Sequence, residues 1–312
     1  MERERDQPLF ERLAGLPGAG PLLQALGDRD GIYAVGGAIR DLLLGSEPVD
    51  IDVVVEGDPE ELVRSIGAPA RVHDRFGTAT VELEGHSYDI ARARRETYSR
   101  PGALPTVAPA TIDEDLERRD FTVNAMALAV GGSRKGELIA FPGAVADLEG
   151  RRLRVLHEAS FSDDPTRLLR LARYANRLGF RVDEHTLALA RSAVGENVFA
   201  TVSGSRLGAE LRLLASEPDP VGALSVLRDL GLDEALASGF SLTDPQLARR
   251  ALELLGDTGD PGTVVLAAAW LSVMPDELAD QLDRLAFAAD QRDAILSTAG
   301  GARELAQALD AA

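Results

Sequence analysis

Two carboxylates lie close together in the segment "GGAIRDLLLGSEPVDIDVVV", which covers residues 36–55. Asp50 and Asp52 are two residues apart at the start of a predicted strand, so we expect both side chains to project from one face. Paired carboxylates repel one another, and a bound cation is a common reason to keep both ionised. Oxygen ligands without His or Cys favour Mg²⁺, whose remaining positions substrate phosphates often fill. The pair is therefore a candidate magnesium site, with a solvated acidic strand end as the alternative.

A second feature, the glycine pair Gly36 and Gly37, separates a predicted strand from a short helix that carries Arg40. Paired glycines let the backbone approach a phosphate closely, a helix N-terminus directs N–H donors at it, and an arginine can bind its oxygens. The alternative is a tight turn followed by an exposed arginine. Asp89, in "SYDIARAR", is a candidate third metal ligand, with a structural role as the other interpretation.

A third segment, "ERRDFTVNAMAL", contains Arg118 and Arg119 before an apolar element. Asp120 can hydrogen-bond locally, and the amide of Asn124 must find partners among apolar neighbours. One interpretation is a packing element held by salt bridges. The other makes Arg119 a contact to a phosphate or a ribose.

A fourth segment, "DDPTRLLRLARYANRLGF", covers residues 163–180, and its Asp164 precedes a proline in the pattern of a helix start. Arg167, Arg170 and Arg173 follow at intervals of three, which predicts either a solvated basic face or a binding face. Cytosine and adenine both present an amine beside a ring-nitrogen acceptor, so an Asp–Arg pair fits either base. Uracil and guanine would leave buried groups unpaired, which is costly.

The order of predicted elements gives an α+β chain. Strand and helix patterns alternate to about residue 155, and nearly everything beyond it is helical in period. The segment "RETYSRPGALPTV", residues 95–107, contains two prolines and little periodicity, which predicts a long mobile loop. We expect Trp270, in the helical part, to belong to the core.

Composition excludes several classes of protein. The 312 residues carry 33 basic against 51 acidic side chains, a net charge of −18, which argues against a non-specific nucleic-acid binder. Cysteine is absent and the four histidines lack metal-ligand spacing, so zinc is not expected. No apolar run of about 18 residues and no signal peptide occur, so we expect a soluble, cytoplasmic protein without a membrane partner.

The motifs "GGAIRD", "DID", "RRDFTVNAMA" and "DPTRLLRLARYANRLGF" follow one another in the order and spacing of a known family. Over residues 30–215 the chain resembles the class II tRNA nucleotidyltransferase and bacterial poly(A) polymerase family of the polymerase β superfamily. The resemblance implies a polymerase β-like head with a mixed β-sheet at 1–155, a helical neck for base selection at 156–215 and a helical body at 216–312 that is shorter than in many relatives.

The resemblance also implies roles for residues. Asp50 and Asp52 are the implied catalytic Mg²⁺ ligands, with Asp89 as a further candidate. The implied nucleotide contacts are Gly36, Gly37, Arg40, Arg119, Asp164, Arg167, Arg170 and Arg173. Segment 95–107 stands in the place of a flexible loop that helps to switch specificity between CTP and ATP.

The chain departs from the family pattern at two places. Asp163-Asp164 stands where Glu-Asp is usual, and Ser205-Arg206 stands where Glu-Arg is usual. The second departure leaves the role of that helix open.

We therefore expect an enzyme that adds C and A to the 3′ end of tRNA from CTP and ATP, with attack of the 3′-hydroxyl on the α-phosphorus assisted by two Mg²⁺ ions. Addition of CC only, of A only or of poly(A) remains an alternative with the same chemistry. A non-catalytic RNA-binding module and an HD-type phosphohydrolase at His73-Asp74 are alternatives from other classes.

Overall fold

The computed structural model describes residues 8–73, 77–256 and 259–310, which divide between two compact units. The first unit contains the chain up to Ser99 together with Pro105–Leu156. The second contains Arg100–Leu104 and the chain from His157 onwards. Asp74 of the His73-Asp74 pair lies outside the described residues.

The first unit is built on a mixed β-sheet, which has seven strands within the described residues. The strands are β1 Ile32–Val35, β2 Val53–Val55, β3 Ala70–His73, β4 Thr78–Leu83, β5 His86–Arg92, β8 Met126–Ala129 and β9 Leu138–Ala140. Their order in the sheet is β3-β4-β5-β2-β1-β8-β9. β2 runs parallel to β5, and the other neighbouring strands are antiparallel.

Helices and a separate hairpin complete the first unit. The helices are α1 Leu9–Ala14, α2 Ala19–Leu26, α3 Gly37–Leu44, α4 Pro59–Ile66, α5 Ile112–Glu117 and α6 Ala144–Glu149. α3 follows β1 directly, and its C-cap Gly45 adopts a left-handed conformation at φ 84°, as the glycine after the leucine run predicts. Short single-turn 3₁₀ helices cover Thr122–Asn124 and Gly132–Arg134, and a short strand β10 covers Arg152–Leu153.

The prediction of an irregular loop over residues 95–107 is wrong at both ends. β6 Arg94–Thr97 pairs antiparallel with β7 Thr106–Pro109, so only residues 98–105 connect the two strands. The side chains of β6 alternate in exposure as in a strand: those of Arg94 and Glu96 are 22% and 7% exposed, and that of Arg95 between them is 58% exposed. Charged residues thus fill the half-buried face of β6, and the usual apolar strand signal is missing.

The second unit is helical apart from a short strand β11 at Arg181–Val182. Its helices are α7 Ser160–Asp163, α8 Thr166–Leu178, α9 Glu184–Gly195, α10 Gly204–Ala215, α11 Pro220–Asp229, α12 Asp233–Leu236, α13 Pro245–Leu254, α14 Pro261–Ala269, α15 Pro275–Arg284 and α16 Ala289–Asp310. A 3₁₀ turn covers Val198–Thr201. α8 packs against α10 and α11.

Trp270 is fully buried in the core of the second unit, as predicted. Its indole Nε1 donates to Gln281 Oε1 at 2.8 Å, and its ring centroid lies 4.4 Å from that of Phe240. A mixed-sheet unit followed by a helical one confirms the predicted α+β class. Within the described ranges, the helices are all too short or too polar to cross a bilayer.

Candidate active site

The head site begins where β2 and β5 lie side by side. Val53 of β2 is paired with Ile90 of β5, so Asp52 and Asp89 each lie one residue before this parallel pair. Both acids are exposed, while Val53 and Ile90 are buried. The Thr80 hydroxyl donates to Asp89 Oδ1 at 2.7 Å and fixes its carboxylate. The sheet thus places two carboxylates from distant parts of the sequence next to each other.

Asp50 and Asp52 precede β2 and are not part of it, which corrects the prediction that both lie on the strand. The backbone stays extended enough for Val35 N to donate to Asp52 O at 3.0 Å. Asp50 and Asp52 are exposed, and Ile51 between them is buried, so the alternation predicted from the spacing is present. Strand pairing ends at Val53 because β1 gives way to the turn at Gly36.

The electrostatics at Asp52 favour a cation. Although Asp52 is exposed as a residue, desolvation of its carboxyl by neighbouring groups raises the pKa of that carboxyl, the negative charges of Asp89 and Asp50 raise it further, and Arg119 opposes them. A divalent cation among these oxygens would relieve the repulsion, so the donor set fits Mg²⁺. Three His, Asp or Glu side chains arranged as a complete metal cage do not occur in the described part of the chain.

Gly36 forms the opposite wall of this site. It joins β1 to α3 at φ 64° and ψ −123°, and its N–H donates to Met126 O of β8 at 3.0 Å. A Cβ placed on Gly36 would lie 3.5 Å from Arg119 Nη1, so the guanidinium of Arg119 lies over the glycine backbone. Gly36, Arg119 and Asp52 therefore surround one region at the end of the sheet.

Arg40 is buried, with only 4% of its surface exposed, which argues against the alternative of a tight turn followed by an exposed arginine. Its Nε and Nη2 donate to the Asp41 carboxylate at 2.8 and 3.0 Å, and its Nη1 donates to Asn124 Oδ1 at 2.7 Å. Asn124 Nδ2 in turn donates to Asp120 Oδ1 at 3.0 Å, which gives Asn124 the partners that its burial requires. These contacts join α3 to the "RRDFTVN" segment.

The sequence analysis missed two acids that hold the arginine pair. Asp115 on α5 is completely buried and pairs with both Arg118 and Arg119. Glu96 on β6 pairs with Arg118 as well. The spacing of three and four residues between Asp115 and the two arginines is a helical ion-pair signal that could have identified Asp115. For Glu96, far away in sequence, we find no such signal.

The second unit holds a separate cluster around Asp164, which lies just before α8. Asp164 Oδ1 accepts from Thr166 N at 3.1 Å and from the Thr166 hydroxyl at 2.6 Å, so it caps the helix as predicted. The same oxygen accepts from Arg206 Nη2 at 2.8 Å. Arg206 Nη1 donates to the carbonyl of Gly102 at 2.9 Å. Arg206 thus joins Asp164 to the segment at 100–104.

Arg167, Arg170 and Arg173 of α8 are partly or fully buried, which argues against the interpretation as a solvated basic face. Arg167 is 5% exposed and donates to the Ser160 hydroxyl at 2.8 Å. Arg170 and Arg173 approach opposite oxygens of Glu210 on α10, at 3.4 and 3.6 Å. Both distances are long for charge-assisted hydrogen bonds. Glu210 is a further residue that the sequence analysis did not single out.

Comparison with known proteins identifies the family. Residues 32–154 match the model of the poly(A) polymerase head domain. An A-adding tRNA nucleotidyltransferase from Geobacter sulfurreducens is 41% identical over 237 residues, which are 74% of this chain and 26% of the relative. A CC-adding tRNA nucleotidyltransferase from Deinococcus radiodurans is 40% identical over 253 residues, which are 78% of this chain and 64% of the relative. The chain thus spans about a quarter to two thirds of these curated relatives.

A solved structure extends the likeness to the whole chain. The CCA-adding enzyme of Thermotoga maritima in complex with tRNA superimposes with a TM-score of 0.77 at 30% identity, over 97% of this chain and 74% of that one. The match therefore includes both the mixed-sheet unit and the helical unit. With a poly(A) polymerase head domain and this agreement in sequence and fold, the chain belongs to the class II tRNA nucleotidyltransferase family.

Proposed function

We propose that the protein is a template-independent nucleotidyltransferase that adds C, A or both to the 3′ end of tRNA, with CTP and ATP as substrates. The observation that carries the proposal is the juxtaposition of Asp52 and Asp89 beside Gly36 and Arg119. Nucleotidyl transfer requires carboxylates that hold a cation, and it requires a glycine turn and an arginine that bind phosphates. The names of the two curated relatives support C and A as the bases added.

In the proposed reaction the terminal 3′-hydroxyl of tRNA attacks the α-phosphorus in line, and pyrophosphate leaves. Asp50 and Asp52 would hold Mg²⁺, with Asp89 as a further candidate ligand. When bound, Mg²⁺ makes the hydroxyl more acidic and offsets charge on the leaving pyrophosphate. Gly36 and Gly37 would let the backbone approach the triphosphate, and Arg119 would contact its phosphates or the ribose.

Arg40 has a different proposed role from the one that its position in the motif suggests. Its three donor nitrogens already bind Asp41 and Asn124. We therefore propose that Arg40 mainly positions the turn at Gly36 and Gly37 relative to the segment that carries Arg119. Direct contact with a triphosphate would require one of these hydrogen bonds to exchange.

Base selection is proposed for Asp164 and Arg167 of the second unit. The bonds from Thr166 and Arg206 end on Asp164 Oδ1, so Oδ2 is the oxygen that would accept the amine of C or A. Arg167 would donate to the ring nitrogen of either base. Arg170 and Arg173 would bind phosphates in place of Glu210, since their contacts to that acid are long.

The test is transfer onto tRNA transcripts that end before CCA, after CC and after CCA, with CTP and ATP offered singly and together. Products distinguish CCA, CC-only, A-only and poly(A) addition, and release of pyrophosphate distinguishes an enzyme from an RNA-binding module. Asp52→Ala should abolish transfer of every nucleotide because positioning and charge compensation supply most of the rate. Substantial residual transfer by this variant would refute the catalytic site.

A further inference from the structure

A continuous chain of polar contacts runs from the start of the 98–105 connection towards the head site. The Tyr98 hydroxyl donates to Glu96 Oε2 at 2.8 Å. Arg94 Nη2 and Arg118 Nη1 donate to Glu96 Oε1 at 2.8 and 3.3 Å. Glu96 therefore ties the stem strand β6 to the first arginine of the "RRD" segment.

Asp115 is the centre of this chain and uses both of its carboxylate oxygens. Oδ1 accepts from Nε and Nη2 of Arg118 at 2.9 and 2.7 Å, and also from the backbone N–H of Arg94 at 3.1 Å. Oδ2 accepts from Nε and Nη2 of Arg119 at 3.2 and 2.8 Å. A fully buried carboxylate with two guanidiniums carries a large desolvation cost, so packing alone does not account for it.

The far end of the chain is the third nitrogen of Arg119. With Nε and Nη2 bound to Asp115, Nη1 is directed at the backbone of Gly36. Arg119 is also the positive charge that acts on Asp52. The position of this guanidinium, between the glycine turn and the carboxylates, is therefore determined by Asp115.

We propose that Asp115 and Glu96 are positioning residues that couple the stem of the β6–β7 hairpin to Arg119, so that the 98–105 connection influences how tightly the head binds a nucleotide triphosphate. The proposal rests on the proposed function, because it assigns Arg119 to the incoming nucleotide. We call the series of contacts from Tyr98 through Glu96, Arg118 and Asp115 to Arg119 the relay. Tyr98, at the first position of the connection, is its outer end. A displacement of β6 would pass through Arg118 and Asp115 to the guanidinium over Gly36.

A double-mutant cycle on the 312-residue protein tests the coupling. Glu96→Gln and Arg119→Ala are made singly and together, and KM for CTP and for ATP is measured alongside kcat. Glu96→Gln alone should raise both KM values by about three- to tenfold, with a smaller effect on kcat. In the Arg119→Ala background, Glu96→Gln should alter KM by less than about twofold, because the guanidinium that Glu96 helps to position is then absent.

Matched controls separate positioning from general damage. Arg95→Ala, on the exposed face of the same strand, and Asp113→Asn, on the exposed side of α5, should leave KM unchanged. Tyr98→Phe removes one hydroxyl and should raise KM in the same direction as Glu96→Gln but less. Tyr98→Phe keeps the test informative if Glu96→Gln does not fold.

Two outcomes would overturn the relay, and they differ from failure of the proposed function. If Glu96→Gln raises KM equally with and without Arg119, the two residues act independently and the coupling is absent. If Glu96→Gln lowers melting temperature but leaves KM unchanged, its role is structural. Full activity of Asp52→Ala would instead reject the catalytic site itself.

Discussion

Gly36 shows how a single residue constrains the head site. Its combination of φ 64° and ψ −123° is one that glycine adopts readily and L-residues do not. Gly36→Ala should therefore cost about 1–3 kcal/mol in the free energy of unfolding, measured by urea denaturation, through backbone strain alone, because the added Cβ would lie at an ordinary 3.5 Å from Arg119 Nη1.

Gly37 is the matched control for that prediction. It lies at the first position of α3, and a Cβ added there would meet Arg40 Nη2 at an ordinary 3.6 Å. Gly37→Ala should leave the free energy of unfolding unchanged or raise it by up to about 1 kcal/mol. Equal destabilisation by the two substitutions would show that the backbone conformation of Gly36 is not the cause.

Prediction from sequence succeeded for residues whose neighbours are local and failed where the partner is remote. Asp50 and Asp52 alternate with a buried Ile51, as a spacing of two predicts. The burial of Arg40 was not predictable, because Asn124, its partner, is 84 residues away. The same limit applies to Glu96 and Arg118, which are 22 residues apart.

At the scale of elements, the N-terminus of α8 depends on α10 for its geometry. Arg206 on α10 bonds both Asp164 and the carbonyl of Gly102, and this contact supplies a role for the helix that carries Ser205-Arg206. Arg206→Ala should leave Asp164 freer to rotate. We expect the preference for CTP over UTP, measured as a ratio of kcat/KM values, to fall by about three- to tenfold.

Two further variants serve as positive and negative controls for the effect of Arg206→Ala on base selection. Arg167→Ala removes the proposed base contact itself and should relax the choice of base at least as much. Arg212→Ala removes a bond from the same helix α10 to the carbonyl of Ala286 and should leave the choice of base unchanged. Undiminished discrimination in Arg206→Ala would contradict the link between α10 and base selection.

The hairpin of β6 and β7 shows why element prediction failed at one place. A half-buried strand is normally recognised by alternating apolar residues, but both inward positions of β6, Arg94 and Glu96, are charged. The inward Glu96 is stabilised by an ion pair with Arg118, which comes from a later segment. The helices of the second unit were easier to predict, because capping acids and prolines stand at their starts, as at Asp219-Pro220 and Asp260-Pro261.

For the molecule as a whole, the change from alternating patterns to helical periodicity predicted a mixed-sheet unit followed by a helical one. The assignment of residues 100–104 to the second unit could not be predicted, because it depends on contacts such as the bond from Gly102 N to Ser162 O. Local periodicity therefore predicts that a mixed-sheet unit is followed by a helical one. Hydrogen bonds between residues far apart in the sequence determine which unit a short segment belongs to.

The loss of stability in acid can be measured separately in the two units, and this allows a prediction. Burial would raise the pKa of Asp115, but Arg119 and Arg118 outweigh it and hold this pKa below its usual value. The pKa of Glu96 is lowered in the same way, with burial outweighed by Arg118, Tyr98 and Arg94. Because each carboxyl has a lower pKa in the folded chain than in the unfolded chain, it stabilises the fold at pH values above its unfolded pKa of about 4. This stabilisation is lost as the pH falls.

Asp115→Asn should therefore make the first unit less stable at neutral pH, by about 3–5 kcal/mol, yet less sensitive to acid. Hydrogen exchange of amides in β1 and β8, followed from about pH 6 to about pH 3.5, measures the free energy of opening in that unit. The free energy of opening should fall less steeply with decreasing pH in the variant. The reason is that Asn lacks the carboxylate of Asp115, which binds a proton at a higher pH in the unfolded chain than in the folded chain. The fluorescence of Trp270, the chain's one tryptophan, follows the second unit and should show the same acid transition in both proteins. An identical slope in β1 and β8 would mean that Asp115 does not carry the acid response of the head.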